Sequence, residues 1–171
     1  MANKNSGSNK FYIISIFVMI FVLPVLSFSI EELVSKNEIN DLASIGKWFI
    51  FYTAGIRLFI AGIKQITNPA FTAKAIFHFT GTESFAIIKE LGFANVCAGL
   101  VGIISLFIPA WRIVSAFSSG LYYGFAGFGH LAKKSASTNE RFALITDIIV
   151  FVLFVCYVII FSNSQFIIHN S

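Results

Sequence analysis

Residues 11–30 form a run of twenty positions without a charged side chain. A helix needs about that many residues to cross the roughly 30 Å hydrocarbon core of a bilayer. Charged residues make up only 12% of the whole chain, whereas a soluble domain averages about 25%. The apolar positions are continuous and do not alternate with polar ones, as the strands of a membrane barrel would require. The sequence therefore predicts an all-α integral membrane protein.

Four further apolar segments follow the first one along the chain. The predicted membrane spans are residues 11–30, 48–66, 91–110, 113–131 and 142–161. A short helix at the membrane surface is predicted for residues 70–79, because Asn68 is a favoured N-cap and Pro69 suits the first helical position. The connections are short, so residues 11–162 are expected to form one helical-bundle domain. Residues 1–10 are expected to be a disordered tail, and residues 163–171 a short C-terminal tail.

The first span has an alternative interpretation as a cleaved signal peptide, which would leave four spans. Ser27 and Ser29 are small residues spaced as at a signal-peptidase site. Twenty apolar positions are long for the core of a signal peptide, which favours a retained helix. Both interpretations place the loop after the first span on the outer side.

The distribution of basic residues predicts which side of the membrane each loop faces. With the N-terminus inside, eight basic residues fall in inner segments and three in outer ones. The inner set is Lys4, Lys10, Lys64, Lys74, Lys89, Lys133, Lys134 and Arg141, and the outer set is Lys36, Lys47 and Arg112. Because basic residues concentrate on the cytoplasmic side, the N-terminus is predicted to be cytoplasmic and the C-terminus to lie on the opposite side.

Rows of small residues on the third and fourth spans predict where helices pack closely. Helices in a bilayer associate through close backbone contact at such residues, since lipid is as apolar as their side chains. The predicted packing positions are Gly92, Gly99 and Gly102 on the third span, and Gly120, Gly124 and Gly127 on the fourth. Because a tight turn joins these spans, their glycine faces are expected to meet each other. A homodimer formed through one of the faces is the competing interpretation.

Arg57 lies near the middle of the second span, where an unpaired charge is costly. The residues that could accompany it in a polar cluster inside the membrane are Glu90, Asn95, His130 and Asp147. Such a cluster could be a structural ion pair, or it could handle a proton or a polar ligand. Cys97 and Cys156 lie inside apolar segments, and no metal-ligand spacing or cofactor motif is present. The sequence predicts neither a metal site nor a cofactor.

Several short motifs resemble those of a known group of proteins. They are Phe77-His78-Phe79, Glu90-Leu91-Gly92-Phe93-Ala94-Asn95, Gly99-Leu100-Val101-Gly102, Gly129-His130 and Asp147. Together they resemble an uncharacterised family of small bacterial membrane proteins, a domain of unknown function similar to the DoxX-like four-helix proteins. The resemblance implies a bacterial inner-membrane location, so the C-terminus that the basic residues place outside is expected to be periplasmic. It gives only a weak analogy to quinone and redox chemistry.

The functional expectation is therefore an inner-membrane bundle that is not an enzyme and serves as an accessory or assembly component. The alternative is a protein that handles a small molecule, a quinone or a proton through the polar cluster. The lipid bilayer is the expected partner, with a small hydrophobic ligand under the alternative. Nucleic acid is not expected, because the net charge of +4 is spread over the ends of apolar runs and does not form a stripe.

Overall fold

The computed structural model describes residues 7–35, 41–76, 79–131 and 138–170. All regular secondary structure within these residues is helical, which confirms the all-α prediction. The helices are α1 (residues 7–34), α2 (residues 41–67), α3 (residues 69–76), α4 (Phe85–Ile104), α5 (Trp111–Leu131) and α6 (Thr138–Asn170).

Four segments of these helices are long and apolar enough to cross a membrane. They are Lys10–Val34, Ala43–Thr67, Phe85–Ile104 and Arg141–Ser162. Helix α5 has the length but is less apolar, because serine, glycine and tyrosine occupy many of its positions. The prediction of several spanning helices is thus confirmed in its coarse form, and the count of five stays a prediction.

Helix α4 ends at Ile104, six residues before the predicted end of the third span. Ser105 turns its hydroxyl back onto the carbonyl of Gly102 at 2.7 Å, which competes with continuation of the helix. The guanidinium of Arg112 then donates to the carbonyls of Ser105 and Leu106, at 3.2 and 3.4 Å. Side chains therefore satisfy carbonyls that the end of the helix leaves free.

The terminal helices extend beyond the predicted spans. Helix α1 begins at Gly7, inside the predicted N-terminal tail, and α6 continues to Asn170, through most of the predicted C-terminal tail. Residues 1–6 and Ser171 lie outside the described residues. The bounds of an apolar run do not predict where these helices end, because a helix can continue through polar residues beyond the apolar run.

Two wide π-helical turns interrupt the first two long helices. One, Val18–Val22 in α1, directly precedes the buried Pro24, which lacks an amide hydrogen and would crowd the carbonyl four residues before it. The other, Ile50–Ile56 in α2, directly precedes Arg57. Such turns occur frequently at functional sites, and they change the direction and the bonding of a few residues without ending the helix.

The predicted surface helix is present in shorter form. Its first turn, Pro69–Phe71, continues into the wide turn Thr72–Ile76. Asn68 caps it through Oδ1, which accepts a hydrogen bond from the amide of Phe71 at 3.3 Å. Residues 77–78 of the predicted helix lie outside the described residues.

The glycine face of α4 packs against α2, not against α5 as expected. A Cβ on Gly92 would lie 2.9 Å from the Gly62 carbonyl oxygen, and one on Gly102 would lie 2.5 Å from the Gly55 amide nitrogen. A Cβ on Gly99 would lie 2.5 Å from the backbone of Phe59. The expectation was wrong because α2 carries its own glycines, seven residues apart, in register with those of α4.

The glycine face of α5 packs against side chains of α6. A Cβ on Gly120 would lie 3.1 Å from Phe154, one on Gly124 2.8 Å from Phe151, and one on Gly127 2.7 Å from Ile148. Large residues of α6 thus fill the hollows that the glycines leave. Both glycine rows are close to a neighbouring helix, but α2 covers the row on α4 and α6 covers the row on α5.

Helix α1 belongs to the same core as the other helices. Ile16 and Ile20 are buried in a cluster that includes residues of α2, α5 and α6. At its other end, the Glu31 carboxylate accepts hydrogen bonds from Ser44 at 2.5 Å, from Trp48 at 2.7 Å and from Lys47. These three donors lie on the first turns of α2, so Glu31 fixes the end of α1 to the start of α2.

Candidate functional site

A partly open cavity of about 910 Å³ lies between α1, α2, α4, α5 and α6, next to α3. Its wall is mostly apolar, with a limited set of polar side chains. The polar residues that line it are Tyr12, Ser15, Arg57, Lys64, Gln65, Thr72, Asn95, Tyr122, Tyr123 and Asp147. Ligand sites typically have volumes of about 300–1,000 Å³ and a similar mixture of apolar surface and a few polar groups.

Arg57 and Asp147 form an ion pair in the wall of this cavity. Arg57 Nη2 donates to Asp147 Oδ1 at 2.7 Å, and the two side chains are only 11% and 8% exposed. The pair joins α2 to α6 and leaves both charges nearly neutralised. A charge-assisted bond of this length is among the stronger contacts that a buried site can contain.

Tyr123 holds the guanidinium from the side of α5. The Arg57 Cζ atom lies 4.7 Å from the centroid of the Tyr123 ring, a distance typical of a cation–π contact. The Tyr123 hydroxyl donates to the Thr53 carbonyl at 2.8 Å, within the wide turn that precedes Arg57. Arg57 Nη1 is buried and has no hydrogen-bond acceptor among the described residues, so the aromatic face provides part of its stabilisation.

Asn95 is directed at α2. Its Nδ2 atom donates to Gln65 Oε1 at 2.8 Å, and the residue is 3% exposed. Both side chains line the cavity. Because the two amides bond each other, they provide a fixed polar spot on an otherwise apolar wall.

The structure brings three of the five proposed cluster residues to one cavity, namely Arg57, Asn95 and Asp147. Glu90 is exposed on α4 and is not part of the cavity wall. It faces away because it lies two positions before Gly92, whose row of glycines faces α2. His130 occupies the last turn of α5, and the placement of its side chain lies outside what the structure describes.

Sequence reasoning missed several residues of the cavity. Lys64 and Gln65 enter it because they follow Ala61 at steps of three and four. Ala61 follows Arg57 at a step of four, so all four residues lie on one face of α2. That spacing was visible in the sequence. Tyr12 and Tyr122 gave no comparable signal, since tyrosines in a membrane helix are also common as interfacial anchors.

The arrangement offers groups that can bind a molecule. Cys97 and Cys156 are free and exposed, and neither lines the cavity. Among the described residues, no group of three His, Cys, Asp or Glu side chains could hold a metal ion. The wall presents an apolar surface, amide and hydroxyl groups, one neutralised ion pair and the ammonium group of Lys64.

Comparison with known proteins gives one result. A family of unknown function (DUF6790) matches the chain over residues 14–165, which is most of its length. No curated protein and no solved structure matches the chain. The match agrees with the resemblance to an uncharacterised family, whereas the similarity to DoxX-like proteins stays a prediction.

Proposed function

We propose that this chain, which belongs to the family of unknown function DUF6790, is a membrane-embedded protein. It binds a small hydrophobic molecule in the cavity beside Arg57 and Asp147. The volume of about 910 Å³, together with the ion pair in the wall, is the observation that carries the proposal. If the ion pair only linked the helices, side chains that filled the space around it would make the protein more stable, since interiors are normally close-packed.

The surface of the bundle supports the membrane location. Four segments are long and apolar enough to span a bilayer, and large apolar side chains outside the cavity, such as Phe107, Ile87 and Leu33, are more than 70% exposed. We place the protein in the bacterial inner membrane with a cytoplasmic N-terminus, as the eight-to-three distribution of basic residues indicates. The role as an accessory or assembly component stays a prediction.

Native mass spectrometry of the full chain, purified in a mild detergent, tests the binding proposal. Ala61 lines the cavity, so Ala61→Phe should fill part of it with an aromatic ring. Ala86 is exposed on the first turn of α4 and is not part of the wall, so Ala86→Phe is the matched control.

We expect a bound small hydrophobic molecule in the wild-type protein and in Ala86→Phe, and its loss in Ala61→Phe. Thermal denaturation of the two variants establishes that both are folded. The proposal fails if no such molecule binds the wild-type protein, or if folded Ala61→Phe retains it at the wild-type level.

A further inference from the structure

We infer that the ligand of this cavity is an anionic amphiphile, whose carboxylate or phosphate head group binds Lys64 while its hydrocarbon tail occupies the apolar part of the cavity. The inference rests on the proposed function, because it names the chemical class of the molecule bound there. Three charged residues line the cavity, two of them cationic and one anionic. Arg57 and Asp147 neutralise each other at 2.7 Å, which leaves the charge of Lys64.

Lys64 has no counterion in the described part of the chain. No described carboxylate lies within 4.0 Å of its Nζ atom. Nζ lies instead 3.5 Å from the centroid of the Phe71 ring, and this contact holds the ammonium group beside the cavity. Lys64 is itself exposed, at the open side of the cavity. A cation without a counterion in this position favours an anionic group on whatever fills the cavity, because opposite charges attract.

The position of Lys64 along α2 separates a head-group end of the cavity from a tail end. Lys64 lies in the last turn of α2, and Arg57 lies seven residues before it, about 10 Å deeper at 1.5 Å per residue. Between these levels the wall of α2 consists of Leu58, Ile60 and Ala61. Met19 of α1 extends the apolar lining. A charged head at Lys64 with a tail that runs toward Arg57 matches this order.

The apolar wall argues against a free anion as the ligand. A soluble anion would gain the contact with Lys64 but would leave most of the cavity to be filled with water against apolar side chains. An amphiphile contacts Lys64 with its head group and fills the apolar part of the cavity with its tail. The bilayer is also a ready source, since lysines near the end of a spanning helix lie at the level of lipid head groups.

Titration of the full chain by native mass spectrometry in neutral detergent tests the inference. The probes are palmitate, hexadecyl phosphate and 1-hexadecanol, which share one tail and differ in the head group, together with inorganic phosphate. Lys64→Gln removes the charge and keeps a side chain of similar length, and Lys64→Arg restores a cation. Lys89→Gln is the control, because Lys89 is exposed on α4 and is not part of the wall.

We expect wild type and Lys89→Gln to bind the two anionic probes more tightly than 1-hexadecanol. Lys64→Gln should weaken the anionic probes about tenfold, as loss of a charge-assisted contact does, and leave 1-hexadecanol unchanged. Lys64→Arg should recover most of the affinity.

Equal affinity for charged and neutral probes, unaffected by Lys64→Gln, would overturn the inference while the proposed function stands. Binding of inorganic phosphate at Lys64 as tight as that of hexadecyl phosphate would also overturn it, in favour of a free anion. If no probe with a tail binds the wild-type protein, the proposed function fails together with the inference.

Discussion

Arg57 and Asp147 lie ninety positions apart in the chain and meet at 2.7 Å through Nη2 and Oδ1, with both side chains almost fully buried. The pair links the helix that follows the first loop to the last helix of the bundle. Tyr123 adds a third element, because its ring covers the guanidinium and its hydroxyl bonds the backbone of α2. The ion pair and the two contacts of Tyr123 therefore connect α2, α5 and α6 at the wall of the cavity.

The first prediction concerns the energetic coupling of this pair. Arg57→Leu or Asp147→Leu alone leaves a buried charge without its partner, and such changes cost about 3–5 kcal/mol. Arg57→Leu together with Asp147→Leu should recover part of the loss, since the uncompensated charge disappears. A double-mutant cycle by thermal denaturation in detergent should give a coupling energy of about 0.5–3 kcal/mol.

The control for the cycle is the partly buried Lys47–Glu31 contact, whose side chains are 15% and 29% exposed and thus more accessible than those of Arg57 and Asp147. Coupling there should be smaller, because solvent screens it more. Strictly additive losses for Arg57 and Asp147 would contradict the buried ion pair.

The second prediction separates the two contacts of Tyr123. Tyr123→Phe removes the hydroxyl that donates to the Thr53 carbonyl but keeps the ring beside Arg57. We expect a loss of about 1 kcal/mol in the free energy of unfolding, the usual contribution of one buried hydrogen bond. Tyr123→Leu also removes the aromatic face and should cost clearly more. Equal effects of the two changes would mean that the ring does not stabilise the guanidinium.

The ion pair and the helices were predictable from sequence for different reasons. The helices follow from long apolar runs, a local signal that depends on no distant residue. The pairing of Arg57 with Asp147 was expected because an unpaired charge inside the membrane is energetically unfavourable, and each of these residues lies deep in a span. Glu90 was expected in the same polar cluster, nearer the inner surface. The direction of its side chain depends on the helix face on which it lies, and the sequence does not show which neighbour packs against that face.

The partners of the glycine rows could not be derived in the same way. A tight turn between α4 and α5 suggested that their glycine faces meet. Gly55 and Gly62 instead bring α2 against α4, at distances that any Cβ would obstruct. A row of small residues shows that a face is closely packed, but it does not identify the helix that covers it. The cavity was equally hidden, since five long helices contribute to its wall and the sequence does not show how they pack around it.

The third prediction tests the glycine face of α5. A Cβ on Gly124 would lie 2.8 Å from the Phe151 ring, so Gly124→Leu should overpack the contact with α6 and cost about 1–3 kcal/mol. Val152 lies one residue beyond Phe151 on α6 and is 50% exposed, so Val152→Leu should have little effect. Thermal denaturation of both variants measures the difference. Equal tolerance would mean that Gly124 does not face α6.

The fourth prediction tests whether α1 is a permanent part of the bundle. Glu31→Gln removes the charge that accepts hydrogen bonds from Ser44, Lys47 and Trp48. We expect a lower melting temperature, because the carboxamide lacks the negative charge and has only one oxygen that can accept from these three donors. The intact mass of the purified wild-type protein should also include residues 1–29. A mature protein that lacks them would show that the first span is a signal peptide.

The fifth prediction concerns the orientation of the protein in the membrane. Cys97 and Cys156 are both exposed and free, so replacing them with alanine should preserve the fold. In that cysteine-free background, Ala136→Cys introduces a thiol in the connector before α6, and Asn37→Cys introduces one in the connector after α1. The distribution of basic residues predicts that position 136 lies in the cytoplasm and that position 37 lies outside. A membrane-impermeant maleimide added to intact cells should therefore label Asn37→Cys, and should label Ala136→Cys only after the membrane is permeabilised. Labelling of Ala136→Cys in intact cells would contradict the orientation and would place the Lys64 end of the cavity at the outer surface.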